Sequence, residues 1–341
     1  MSALGGAARK FRAHVRSLWP RSVLAPVAPF VLFALYQGFR SELRVEHVLM
    51  IVVAAVLAYT GPRTKELLLG LYPLALVAVF YDAMRPIQKV GLTPERVHLC
   101  DLRNLELGLF GMNVGGQRMT PHDWFYLHHT PALDVFSSIP YATFLAACVA
   151  CCIYLYIHDR QAMRRFSWGF LVLNVLAFLT YHLVPAGPPW YFHAHGCTVD
   201  LATRATEGPA LERVDLMLEH RLGITFFHGM YARASSVFGA LPSLHCAYPI
   251  LILVEGWRSF GWKLRFVAMG FACWMIFSAV YLDHHWIIDA LLGGFYAVIT
   301  TVVLGSIGKL KSDVPAPAPV TTDIADMLEP AGGAPVSGGG E

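Results

Sequence analysis

His285 and Asp289 stand four residues apart at the start of an apolar run, and His245 follows Pro242, Ser243 and Leu244 at the start of another. On a helix starting near Trp286 the first pair share a face, where a carboxylate fixes the imidazole tautomer and leaves the other ring nitrogen free to attack. Attack at phosphorus gives a phosphohistidine. A second group must then protonate the departing alkoxide and deprotonate the incoming hydroxyl, and His245 is the candidate. Ser243 and the unpaired N–H groups of a helix start beside it suit phosphate oxygens. His284 offers a rival ring, but it lies five positions from Asp289 and off the shared face. The sets His284, His285 and Asp289, or His193, His195 and Cys197, would be the ones open to a metal ion. Neither has the paired spacing of a zinc motif, so no metal or cofactor is expected.

Such groups need a scaffold, and composition says which kind. The chain is 56% hydrophobic and only 14% charged, which describes a membrane protein. Apolar stretches of bilayer-crossing length begin near residues 22, 46, 66, 136, 166, 243, 266 and 286. The expected fold is therefore all-α, a polytopic helical membrane protein with six to eight transmembrane helices and a helical-bundle catalytic core. Asp289 lies one turn into the last stretch. A carboxylate in a membrane helix costs roughly 2.5 to 3.5 kcal/mol at the centre, less near an end, and normally marks a function or a partner.

If the basic N-terminus, with Arg9, Lys10, Arg12, Arg16 and Arg21, stays inside, alternation of spans places Arg63 and Lys65, Arg160, Arg164 and Arg165, Arg258, Lys263 and Arg265, and Lys309 and Lys311 inside as well. Every short basic loop then falls on one side. The two long loops, about 83 to 135 and 186 to 242, fall on the other together with both histidine strings. The expected divisions are a basic cytoplasmic segment to residue 21, N-terminal spans over 22–82, a catalytic membrane domain over 83–311, and a disordered Pro/Ala/Gly-rich tail over 312–341. Pro185, Pro188 and Pro189 end the fifth span and force an extended outer segment. The aromatics Trp124, Phe125, Tyr126, Trp190 and Tyr191 either shape a lipid entrance or form an interfacial belt. Cys100 and Cys197 are the two cysteines of the outer loops, and sequence alone does not decide whether they pair. The net charge of +3 is distributed as membrane topology demands, and nucleic acid is not an expected partner.

Pro242-Ser243-Leu244-His245 and the spacing Ser278, His285, Asp289 resemble the second and third signature motifs of the type-2 phosphatidic acid phosphatase superfamily. Gly239 to His245, Tyr281 to Asp289 and Pro188-Pro189-Trp190-Tyr191 are most similar to its inositol phosphorylceramide synthase branch. The resemblance covers roughly residues 80 to 305. It implies a helical membrane fold, a phosphohistidine, no metal, and His245, His285 and Asp289 as the triad, with Arg85 and Ser243 on phosphate oxygens. It also implies phosphatidylinositol as donor, ceramide or a similar lipid alcohol as acceptor, and diacylglycerol as by-product.

Phosphatases of the superfamily carry a lysine seven residues before Arg-Pro and an arginine after the third-motif serine. Here Ala78 and Ala279 occupy those places. A monoester, largely dianionic, benefits from several cations, whereas a diester carries one charge, so the losses point to transfer from a diester. Lys89, Arg118 or Arg233 are the outer-loop cations that would restore charge. A lipid phosphate or polyprenyl pyrophosphate phosphatase with the same triad is the alternative, and a proton-relaying transporter is the alternative outside enzymes. The expected location is a bacterial inner membrane in preference to the Golgi, with the site on the extracytoplasmic face.

Overall fold

The structure, a computed structural model, describes residues 2–232, 234 and 236–307, without the side chains of residues 2–5, 85, 86, 222 and 307. The expected disordered tail, Lys309, Lys311 and Arg233 lie outside the described residues.

The chain enters as α1 (Ser2–Leu18), α2 (Ala28–Phe39), α3 (Val45–Thr60) and α4 (Pro62–Gln88). The basic N-terminal segment is thus a helix, with Val15 and Leu18 turned inward while Arg9, Lys10, Arg12 and Arg16 are exposed. It sits against the end of α3, where the Trp19 indole donates to the Ala58 carbonyl at 2.8 Å and Lys65 Nζ to the Leu18 carbonyl at 2.7 Å. Phe30, Ala54, Ala58 and Leu68 pack these helices together as a small core of their own.

The first outer loop holds α5 (Cys100–Phe110), the hairpin β1 (Met112–Val114) and β2 (Gln117–Met119), and α6 (Pro121–Leu127). Next come α7 (Pro131–His158) and α8 (Arg160–Leu183). The second outer loop carries α9 (Pro189–His195), α10 (Pro209–Leu222) and α11 (Phe226–Tyr231) before α12 (Leu244–Gly256), α13 (Trp262–Tyr281) and α14 (Ile287–Ile307). Pro62, Pro121, Pro131, Pro189 and Pro209 are the first residues of their helices, where a missing N–H costs nothing. Thr120, Thr130, Asp159 and Ser243 cap α6, α7, α8 and α12 through side-chain oxygens.

Among the described residues five helices, α4, α7, α8, α13 and α14, are long and apolar enough to cross a membrane, and α2, α3 and α12 are shorter apolar helices. These eight coincide with the eight apolar stretches of the sequence. Leu145, Val149, Phe266, Val267, Leu291 and Phe295 stay exposed on their helices, as lipid-facing side chains do. α12 packs among α7, α8, α13 and α14, with Tyr141, Phe166, Leu251, Met275 and Ala279 in the shared core. Tyr248 ties α12 to α8, its hydroxyl donating to Asn174 Oδ1 at 2.6 Å.

The outer loops are stitched together above this bundle. A disulfide joins Cys100 to Cys197, one loop to the other. The segment after α8 is extended, as its prolines require, and Ala186 forms parallel bridges with His98 on one side and Gly239 on the other. Trp190 and Tyr191 are buried against Leu99 and Phe238 in a separate core under the loops, so these two aromatics belong neither to an entrance nor to an interfacial belt.

Candidate active site

Two backbone contacts bring the histidine strings together. The Ser243 N–H donates to the Asp289 carbonyl at 2.9 Å. One turn further along α14, Gly293 faces the same segment: a Cβ placed there would fall 2.2 Å from the Ser243 carbonyl oxygen, so a side chain would push α14 away from the start of α12. With the helices this close, His245 Nδ1 lies 3.0 Å from His285 Nε2. His245 is half-buried, and its ring stacks on Tyr141 with centroids 4.5 Å apart and meets the edge of Phe144 at 5.0 Å.

His285 sits in the connection between α13 and α14. Asp283 takes a left-handed φ of 64°, which aspartate tolerates better than most residues. The chain doubles back so that the N–H groups of His284 and His285 both donate to the Ala279 carbonyl, at 3.1 and 3.2 Å. His285 Nδ1 is 3.0 Å from the Ala240 carbonyl oxygen. That oxygen only accepts, so Nδ1 carries the proton and Nε2 holds the lone pair that faces His245. Ala240 is itself held by its N–H on the Ala186 carbonyl at 3.1 Å. The Asp289 carboxylate is 3.6 Å from Nδ1, an ion-pair distance, and its Oδ2 accepts the Trp286 N–H at 2.9 Å. The four-residue spacing therefore delivers a nearby carboxyl group, while the carbonyl of a distant loop orients the ring. Burial lowers the His285 pKa to about 4, against the favourable Ala240 contact, so the ring is neutral at physiological pH.

The N-terminus of α14 is occupied by carboxylates. Besides Asp289, the buried Glu106 of α5 accepts the N–H groups of Ile287 at 3.0 Å and Ile288 at 3.4 Å. The start of α12 is different: Ser243 serves the N–H groups of Cys246 and Ala247, the Leu244 N–H meets the Tyr181 hydroxyl, and that of His245 has no backbone acceptor among the described residues. Ser243 is fully buried, and its Oγ accepts the Cys246 N–H at 3.3 Å.

A second cluster supports the His285 connection, and the sequence reading did not single it out. His193 of α9 donates from Nδ1 to Asp283 at 2.5 Å and from Nε2 to Asp123 of α6 at 2.9 Å. Asp123 also accepts from Arg103 at 3.1 Å and from the Thr120 N–H at 2.8 Å. His122 lies between Glu106 at 3.4 Å and Asp283 at 3.6 Å, edge-on to Trp286. Cys197 is in the disulfide, so the set His193, His195 and Cys197 has no free thiolate for a metal. Burial alone would lower the His193 pKa, but the two carboxylate hydrogen bonds outweigh it and raise the ring from 6.5 to about 9. A raised folded-state value contributes stability that is complete below about pH 6.5 and is lost as pH rises through about 9. Thermal midpoints of the purified protein should therefore fall as pH rises from about 6.5 to about 9, and His193→Gln should flatten that fall. An unchanged slope in the variant would contradict the bridge.

The remaining site residues divide. Arg85 lies in the last turn of α4, and its side chain is outside what is described. Arg118 is exposed and donates to the Gly108 carbonyl at 3.3 Å. Ala279 is fully buried in the bundle core, whereas Ala78 is exposed on α4. Asp134, at the start of α7, receives a two-point hydrogen bond from Arg213 of α10 at 2.9 and 3.0 Å.

Comparison with known proteins identifies the family. The PAP2 superfamily matches residues 113–303, which include His245, His285 and Asp289 and leave Arg85 outside. The chain is 34% identical over 277 residues to a phosphoinositol dihydroceramide synthase of Bacteroides thetaiotaomicron, covering 80% of this chain and 88% of that protein. It is 27% identical over 277 residues to an inositol phosphorylceramide synthase of Candida albicans and 25% identical over 248 residues to the inositol phosphorylceramide synthase catalytic subunit AUR1 of Saccharomyces cerevisiae. These matches cover 79% and 70% of this chain and about half of each fungal protein, 54% and 56%. No solved structure matches the chain. With the family match spanning the histidine strings and their connecting helices, this chain belongs to the PAP2 superfamily.

Proposed function

We propose that the protein transfers phosphoinositol from phosphatidylinositol to ceramide or a closely similar lipid alcohol through a phosphohistidine at His285. The observation that carries this reading is the meeting of His285 Nε2, its lone pair fixed by the Ala240 carbonyl on Nδ1, with His245 at 3.0 Å. In the first half-reaction Nε2 forms a bond to phosphorus and the bond from phosphorus to the glyceride oxygen breaks. His245, as imidazolium, gives that oxygen its proton and diacylglycerol leaves. The His285 ring then carries positive charge, which the buried Asp289 carboxylate balances at 3.6 Å. In the second half the acceptor hydroxyl attacks phosphorus, gives its proton to His245, and the N–P bond breaks.

The N–H group of His245, the Ser243 hydroxyl and Arg85 hold the phosphate oxygens in this reading. The alanines at positions 78 and 279, which bring no cation to the site, support a diester over a monoester. The names of the bacterial and fungal relatives support the choice of head group and acceptor. The basic short loops support a site on the extracytoplasmic face, and the bacterial relative supports a bacterial inner membrane.

Vesicles containing the purified protein, phosphatidylinositol labelled in the inositol ring, and ceramide test this directly. Labelled inositol phosphorylceramide and one equivalent of diacylglycerol are expected by lipid mass spectrometry. Release of inorganic phosphate from phosphatidic acid, with no product from the diester, would replace the reading with a phosphatase.

A further inference from the structure

His284 has no part in the phosphoryl transfer, yet its ring is more than nine-tenths buried and held in place. Its Nδ1 is 2.9 Å from the Leu282 carbonyl oxygen, so Nδ1 carries the proton and Nε2 is left as an acceptor with no partner among the described residues. The ring stands edge-on to Tyr141 and Tyr231, at 5.3 and 5.4 Å. Burial lowers its pKa to about 4, against the Leu282 contact, so at physiological pH it remains an acceptor.

This ring lines a cavity of about 180 Å³ beneath α10 and α11, together with Thr206, Glu212, Glu219, His228 and Tyr231. The wall is fixed: Asp215 of α10 accepts the N–H groups of Phe227, at 2.9 Å, and of His228 at the start of α11. Gly208 lines the cavity too, and a Cβ there would meet His284 Cε1 at 3.7 Å, so the ring edge between the two nitrogens faces this side. The Tyr231 hydroxyl is buried with no partner among the described residues.

We propose that this cavity is the subsite for the polyol ring of the transferred head group, whose hydroxyls donate to Glu212, Glu219 and the Nε2 of His284. The proposal rests on the phosphoinositol reading above and deepens it. The cavity offers carboxylates and a neutral imidazole nitrogen, which accept hydrogen bonds from hydroxyls and repel a phosphate. Its volume of about 180 Å³ admits a six-membered polyol. Tyr141 stacks on His245 and stands edge-on to His284, at 4.5 and 5.3 Å, and His284 adjoins His285 in the chain, so the cavity wall and the paired histidines share a neighbour. The head group stays on that phosphorus through both half-reactions while diacylglycerol leaves and the acceptor enters. A pocket that holds the ring apart from the lipid path keeps the intermediate in register.

The test reads binding without turnover, using purified protein in detergent and three soluble esters: glycerophosphoinositol, glycerophosphocholine and glycerophosphoethanolamine. Glycerophosphoinositol should bind at least about 10-fold more tightly than the other two. Glu212→Ala and Glu219→Ala, both at exposed positions, should each weaken it roughly 10-fold with an unchanged thermal midpoint. His284→Phe, which keeps a ring between the two tyrosines, should do the same. Unaltered affinity in both glutamate variants, or tighter binding of the choline or ethanolamine ester, would overturn the subsite. Selective binding of the inositol ester by a protein that makes no inositol phosphorylceramide would support the subsite and count against the transfer reading alone.

Discussion

Replacing His285 by alanine is expected to lower phosphoinositol transfer on the order of 10⁴-fold or more, because it removes the atom proposed to bond to phosphorus. His285→Asn makes the stricter comparison, since its amide can still donate to the Ala240 carbonyl that holds the native ring. Both variants should fold, and both should be inactive. Brief incubation of the wild-type protein with donor labelled in the inositol ring, without acceptor, should leave label on the protein that survives alkali and is lost in acid, as a phosphoramidate does. Neither variant should carry it. Transfer at wild-type rate by either one would sink the phosphohistidine. The pH profile adds a sign: with its pKa lowered to about 4 by burial, His285 keeps its lone pair down to that pH. Protonation of Nε2 should remove activity only below it.

His245→Ala is expected to reduce transfer by about 10² to 10⁴-fold, the usual contribution of a positioned acid and base. The distinguishing result is a separation of the two half-reactions. An inositol phosphodiester with a nitrophenol leaving group needs no proton at departure. The variant should therefore release close to one equivalent of nitrophenolate per protein and then stall, since the acceptor hydroxyl still lacks its base. Full turnover on that substrate would remove His245 from the second half-reaction. No burst at all would mean that its loss disturbs His285, which it touches at 3.0 Å.

How far these groups were legible in the sequence depends on the range of the interaction involved. The eight apolar helices follow from local composition, because bilayer thickness sets a length that can be counted along the chain, and all eight occur at the expected places. The extended segment at Pro185 to Pro188 follows from proline geometry. The pairing of Cys100 with Cys197 did not follow, since it requires knowing that two loops 97 residues apart in sequence lie side by side. Trp190 and Tyr191 look like interfacial aromatics in sequence and are core residues under the loops, because a loop large enough to fold back on itself buries its own apolar side chains.

His245, His285 and Asp289 were readable because two of them share one stretch and the third opens another, each at a helix end where an ionisable group needs a reason. What orients them was not readable. The acceptor for His285 Nδ1 is the carbonyl of Ala240, and a backbone oxygen has no signature in a residue type. Gly293, whose missing side chain lets α14 reach Ser243, is one glycine among many until the two helices are seen to touch. His193, Asp123, Asp283, Glu106 and His122 come from four separate stretches and become a cluster only when the outer loops close over α13 and α14. The sequence by itself determined a membrane helical bundle and singled out the side chains proposed to react, because hydropathy and residue chemistry are local properties. The tertiary structure alone decided which lone pair faces which ring, which carboxylates cap α14 and where an acceptor-lined cavity lies, because hydrogen bonds and close packing join atoms that the chain keeps far apart.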